Sequence, residues 1–155
     1  MSAAGDAAHL VDTMNDAMAT TIPTAHQMGV RVVEARRGHA AATVPAEGNG
    51  NHFGVVYAGV QFTVAEILGG VIALSTFDSA KYFPLVKSVD IEFVGMARSQ
   101  LRAEASLSED TIARVEAEAA ERGKADFTLQ AVVTDVDGKT VAATRGLYQL
   151  RAHAW

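Results

Sequence analysis

The sequence predicts an α+β domain in which an antiparallel sheet curls around one long central helix. Three observations carry that expectation. Val55 to Phe77 is almost wholly apolar and shows no polar face, the signature of a helix wrapped by protein on every side. After it the pattern turns to period two, with Val89, Ile91 and Phe93 alternating with Ser88, Asp90 and Glu92, and Leu101, Ala103, Ala105 and Leu107 alternating with polar partners. The order helix, two strands, helix, then mostly strands also lacks the strand–helix alternation of a doubly wound parallel sheet.

From the N-terminus, Asp6 to Thr20 carries Leu10, Met14 and Met18 at helical spacing, and Thr21-Ile22-Pro23-Thr24 breaks that helix. Met28 to Ala35 and His39 to Val44 read as strands, with Arg36-Arg37-Gly38 as their turn. A polar, glycine-rich loop, Glu47 to Gly54, leads into the central helix. Ser108-Glu109-Asp110 starts a further helix with acids in its first turn, Gly123 stops it, and Ile112, Val115 and Ala119 face inward; a continued strand is the alternative there. Ala125 to Val136 and Lys139 to Arg151 form two long strands joined at Asp137-Gly138. No repeat or linker divides the chain. The expectation is one domain over 1–155, with an N-terminal helix in 1–22 and the core in 26–151. A sheet of this kind leaves an edge strand open, so pairing with a second copy is expected.

Composition narrows the chemistry. Hydrophobic residues make up 49% of the chain, enough to bury a core. Thirteen Lys and Arg against eighteen Asp and Glu give a net charge of −5, which disfavours nucleic acid as a partner. With no cysteine, thiolate metal sites and a Cys nucleophile are excluded. The five histidines show no metal-ligand spacing, no Gly-x-Ser-x-Gly surrounds a serine, and the Gly48 to Gly54 loop misses the dinucleotide fingerprint by one residue. No basic start leads into an apolar run, so a cytoplasmic protein is expected. Gln61, Thr63 and Glu66 interrupt the apolar stretch; a carboxylate at mid-bilayer costs about 2.5 kcal/mol or more, so no membrane span is expected.

Glu66 is the residue that composition does not explain. A buried carboxylate is costly unless paired, and no Lys or Arg lies between Arg37 and Lys81. Phe62 and Thr63 precede it on its face, Gly69 and Gly70 follow it, and Gly59 lies further up. Helical glycines weaken a helix by about 1 kcal/mol each, so a ligand or another backbone should approach beside the acid. The alternative is a structural carboxylate bonded to loop amides or to an arginine from a distant strand. The second feature is the helix start, where amides of about residues 56 to 59 lack helical partners and could hold a carbonyl oxygen that turns negative. An ordinary start capped by Asn51 or a loop carbonyl is the alternative. Eight residues separate Ala58 from Glu66, about 12 Å along a helix. A base must come within about 3 Å of what it activates, so the two features cooperate only across two copies of the chain.

Asn51-x-x-Gly54-x-x-Tyr57-Ala58-Gly59, followed by Glu66, resembles the Asn-x-x-Gly-x-x-His-Gly-Gly…Asp/Glu pattern of hotdog-fold acyl-CoA thioesterases of the phenylacetate-degradation type. The element order agrees from about Met28 to Arg151. The resemblance implies Glu66 as catalytic base or nucleophile, the Ala58 amide with Gly59 as oxyanion site, Asn51 as an orienting residue and Ser88 as holder of a water. It further implies a homodimer, or a dimer of dimers, acting on an acyl-CoA with no cofactor or metal; coenzyme A enters only as part of the substrate. Substrate contacts are expected from Tyr57, His52, Phe62 and Gly70, with Ile67 and Phe77 in the acyl pocket and Arg98, Arg102, Lys124 and Arg145 toward the phosphates. Tyr57 and Ala58 stand where the family has His-Gly, and a tyrosine does not change charge near neutral pH. A non-catalytic acyl-ligand binding protein on the same fold is the alternative function.

Overall fold

The structure is a computed structural model, and it describes residues 2–153. Ser2 caps the first helix, α1 (Ala3–Thr21), by accepting the Gly5 amide at 3.2 Å. The chain then starts a second helix, α2 (Pro23–Met28), where strand was expected from Met28. Pro23 suits a first helical turn because it has no amide to lose, and Gly29, at φ 87°, ends the helix. The strand expected to begin at Met28 therefore begins only at Arg31, as β1 (Arg31–Arg36), followed by β2 (His39–Val44).

The central rod is α3 (Ala58–Glu66) and α4 (Leu68–Thr76), joined through Ile67, whose φ −58° and ψ −24° stay helical. By length and composition Ala58–Thr76 could cross a membrane. Here it is the core, with Val60, Val64, Leu68 and Ile72 buried. The rod is not wrapped on every side, however. Ala58 and Leu74 are exposed, and Phe62, Glu66 and Gly70 between them are half-buried, so an open stripe runs at four-residue spacing along it.

Five more elements complete the fold: β3 (Tyr82–Phe93), β4 (Leu101–Ser106), α5 (Glu109–Arg122) and the pair β5 (Lys124–Thr134) and β6 (Thr140–Ala152). The helix alternative at Ser108 is the one realised, with Ser108 capping the Thr111 amide and Ile112, Val115 and Ala119 buried. The β5–β6 turn forms at Asp137-Gly138, where Asp135 Oδ1 accepts the Asp137 and Lys139 amides, each at 2.9 Å. All pairings are antiparallel, in the order β1-β2-β4-β5-β6-β3.

The two edges differ. On β1, the Asn15 side chain from α1 gives and takes a hydrogen bond with the Val32 backbone, both at 2.8 Å, as a strand would. Along β3, Leu85, Val86 and Phe93 are exposed; Phe93 keeps the face of Val89 and Ile91 in register but, unlike them, is not half-buried there.

Candidate functional site

Glu66 lies on the open stripe of the rod. Among the described residues no cation pairs with it. Burial alone pushes its carboxyl above the ordinary range, because the charged form is partly stripped of water. Tyr148, on β6, donates its hydroxyl to the Glu66 main-chain carbonyl at 3.1 Å. Burial first, and the Glu66 charge second, raise that phenol.

The three glycines near the acid have different surroundings. A Cβ on Gly69 would collide with the Tyr148 ring, which a Cβ on Gly146 would also strike, so this ring is what approaches the rod there. A Cβ on Gly59 would meet the Tyr57 ring at 2.6 Å. Gly70 faces open space. Tyr148 was not singled out by the sequence, although a glycine in a helix and another on an inward strand position both mark room for a large ring.

At the rod's start Tyr57 is the cap residue and makes no side-chain capping bond. Val60 and Gln61 amides reach the Tyr57 carbonyl, whereas those of Ala58 and Gly59 have no acceptor among the described residues. Asn51 does not cap the helix. Its Oδ1 accepts the Phe53 and Val55 amides at 2.9 and 3.3 Å, which folds its own loop, and its NH2 group has no partner among the described residues. Asn49, missed in the sequence, anchors this loop: its side chain donates to the Met28 and Pro45 carbonyls at 2.7 and 2.8 Å, and its carbonyl accepts the Tyr57 amide at 2.8 Å. Gln61 is buried with its Nε2 on the Val56 carbonyl at 2.9 Å and its Oε1 unpartnered. His52 packs on Phe53 in the exposed part of the loop, ring centroids 4.0 Å apart.

Not every expected residue joins this site. Tyr148 faces the rod, so Arg145, an odd number of residues away on β6, points to the other sheet face. Ser88 pairs with Leu147 beyond a bulge and shares that outer face, away from the acid of its own chain. Arg102 alternates with fully buried Leu101 and Ala103, and it pairs with Glu34 at 3.1 Å. Phe77 is a core residue packed toward Phe127. Lys124 opens β5 at the end of the sheet where the chain leaving α4 is tied by the His153–Lys81 bond. Arg98 is exposed and follows Ala97, whose carbonyl accepts the Val56 amide just before the rod begins.

One cluster has ligand-like geometry. Donor atoms of Glu34, His39 and Glu104 lie within 4.8 Å of one another on the outer sheet face. Arg102 already balances the two acids at 3.1 and 3.8 Å, and His39 bonds Glu34 at 2.6 Å and Ser106 at 3.2 Å. Hydrogen bonding from His39 foremost lowers the Glu34 carboxyl. The cluster reads as an ion-pair network that pins β1 to β2 and β4.

A family model described as a domain of unknown function, DUF4442, matches residues 12–148. No curated protein matches. Among solved structures, PA5026 from Pseudomonas aeruginosa, described as a protein of unknown function and probable thioesterase, is 38% identical, with a TM-score of 0.85 over 92% of this chain and 95% of that one. The Haemophilus influenzae thioesterase HI1161 is 14% identical, with a TM-score of 0.75 over 94% and 92%, a likeness of fold alone. The curled six-stranded antiparallel sheet around a central helix is the hotdog fold.

Proposed function

The chain belongs to the DUF4442 family, and from that premise we propose that it is an acyl-CoA thioesterase whose working unit is a pair of chains. One observation carries the reading: an unpaired, partly buried Glu66 and the acceptor-free Ala58 and Gly59 amides share one open stripe yet lie about 12 Å apart along the rod. A second copy brings the missing half to each.

In this reading Glu66 of one chain takes a proton from water as its oxygen attacks the thioester carbonyl. The carbonyl oxygen becomes negative and is held by the Ala58 amide of the other chain, at the positive end of its helix. Collapse breaks the carbon–sulfur bond, and the proton carried by Glu66 passes to the departing thiolate. The products are a carboxylic acid and free coenzyme A. In the alternative the Glu66 carboxylate attacks the carbonyl itself and expels the coenzyme A thiolate, forming an anhydride; water opens it to the carboxylic acid and a protonated Glu66, whose proton passes to the thiolate. The free NH2 of Asn51 supports a role in orienting the carbonyl. Of the four expected cations, Arg98 stands nearest a helix opening and suits a phosphate of the coenzyme.

The open β3 edge, against the Asn15-protected β1 edge, supports β3 as the seam between copies. The test is thiol release from a panel of acyl-CoAs. Wild type should turn over at least one, and Glu66→Gln should lower that turnover by about 10²-fold or more while the protein stays dimeric. Retained hydrolysis removes Glu66 from the mechanism, and binding without turnover by wild type returns the protein to the ligand-binding class.

A further inference from the structure

A cavity of about 450 Å³ lies between α1 and α4, within the size range of small-molecule pockets, about 300–1,000 Å³. Leu10, Met14 and Met18 form its α1 wall, and Gly70, Val71 and Leu74 form its α4 wall. No charged side chain lines it among the described residues, and Thr13, Thr21 and Ser79 are its only hydroxyls. Its floor begins at Ile67 and Gly70, immediately beyond Glu66 on the same stripe of the rod.

We infer that this cavity holds the tail of an unbranched aliphatic acyl group, with α1 setting the chain length that fits. The inference rests on Glu66 as the site of thioester chemistry and deepens that reading by naming the substrate class. Three features select this occupant. Gly70 keeps the floor open: its missing Cβ leaves empty space where any larger residue would stand. The two methionines line a slot with flexible, unbranched side chains that adjust to an alkyl chain. The distance from Glu66 to Leu74 is about 12 Å along the rod, and an extended alkyl chain advances about 1.2 Å per bond. A tail of about ten carbons therefore spans the cavity from the acid to its far wall.

Two filling variants test it from opposite walls, so that misfolding of one leaves the other: Gly70→Leu and Met14→Trp. Each is assayed against butyryl-CoA and decanoyl-CoA, and separately for displacement of a fluorescent polyene fatty acid by decanoic acid. Both should lower the decanoyl-to-butyryl ratio of kcat/KM at least tenfold and weaken decanoic acid binding by a similar factor. If wild type hydrolyses butyryl-CoA and decanoyl-CoA and neither variant moves the ratio, the cavity does not hold the tail while the hydrolase reading stands. If wild type hydrolyses nothing yet binds decanoic acid in a manner that both variants abolish, the cavity assignment stands and the hydrolase reading falls. If the variants change only the sedimentation of the dimer, the cavity is a contact between copies and the inference is overturned.

Discussion

The Glu66 carboxyl links stability to reactivity. Burial raises it, so the folded chain holds its proton more tightly than the unfolded chain does. The stabilisation that this gives is complete below the unfolded value of about 4.3 and is lost as pH rises through the higher folded value. Glu66→Gln should therefore melt close to wild type in acidic buffer and progressively above it toward neutral pH, read by thermal unfolding across that range. The same substitution should lower hydrolysis by about 10²–10⁴-fold, the usual contribution of a positioned base. The acidic limb of the wild-type kcat/KM profile should lie above the range of an ordinary carboxylate. The neighbouring glycines give a sharper contrast, because Gly69 meets the Tyr148 ring and Gly70 meets nothing. Gly69→Ala forces apart a ring stacked on Phe127 with centroids 5.7 Å apart, and should cost about 1–3 kcal/mol in urea unfolding. Gly70→Ala removes a helical glycine without a collision, and should stabilise by about 0.5–1 kcal/mol.

At the level of elements, α1 does more than cover the sheet. Asn15 supplies a donor and an acceptor to Val32 where β1 would otherwise present a bare edge. Asn15→Ala leaves both backbone groups in a part-buried place, and should cost about 1–3 kcal/mol, with faster hydrogen exchange confined to β1 and α1. This contact shows where sequence patterns stop. The central rod, α5 and the Asp137-Gly138 hairpin were legible because periodicity, caps and a turn dipeptide are local signals. The early part of β3 was not, since Pro84 argues against a strand unless the strand lies at an edge, as this one does. Nor was the face of Ser88. The bulge between Val86 and Ser88 inserts Lys87 and shifts the alternation by one, which reverses the side from which Ser88 looks out. The acid and the helix start could be found from sequence because burial without a local cation is a chemical anomaly. Their partner residues depend on which strand faces which, and no spacing records that.

For the whole molecule, the distance along the rod decides between two architectures. Were one copy to bring Glu66 and its own Ala58 amide to a single carbon, the rod would have to fold back on itself between them; instead Ala58–Glu66 is one unbroken helix, α3. A shared site predicts dependence on pairing. Val86→Lys places a charge midway along the open β3 edge, at a position 49% exposed in the single chain. It should yield a folded monomer by circular dichroism and sedimentation, with hydrolysis lost although no residue of the proposed chemistry has changed. Complementation then separates sharing from mere stabilisation by the partner. A chain carrying Glu66→Gln keeps its helix start and Asn51; a chain carrying Asn51→Ala keeps its acid. In a heterodimer of the two, a shared site pairs the intact acid of one with the intact loop of the other and leaves the second site doubly defective. Purified heterodimer should recover about half the wild-type rate while both homodimers stay inactive. If each site were built within one chain, both sites of that heterodimer would carry a defect and no activity would return.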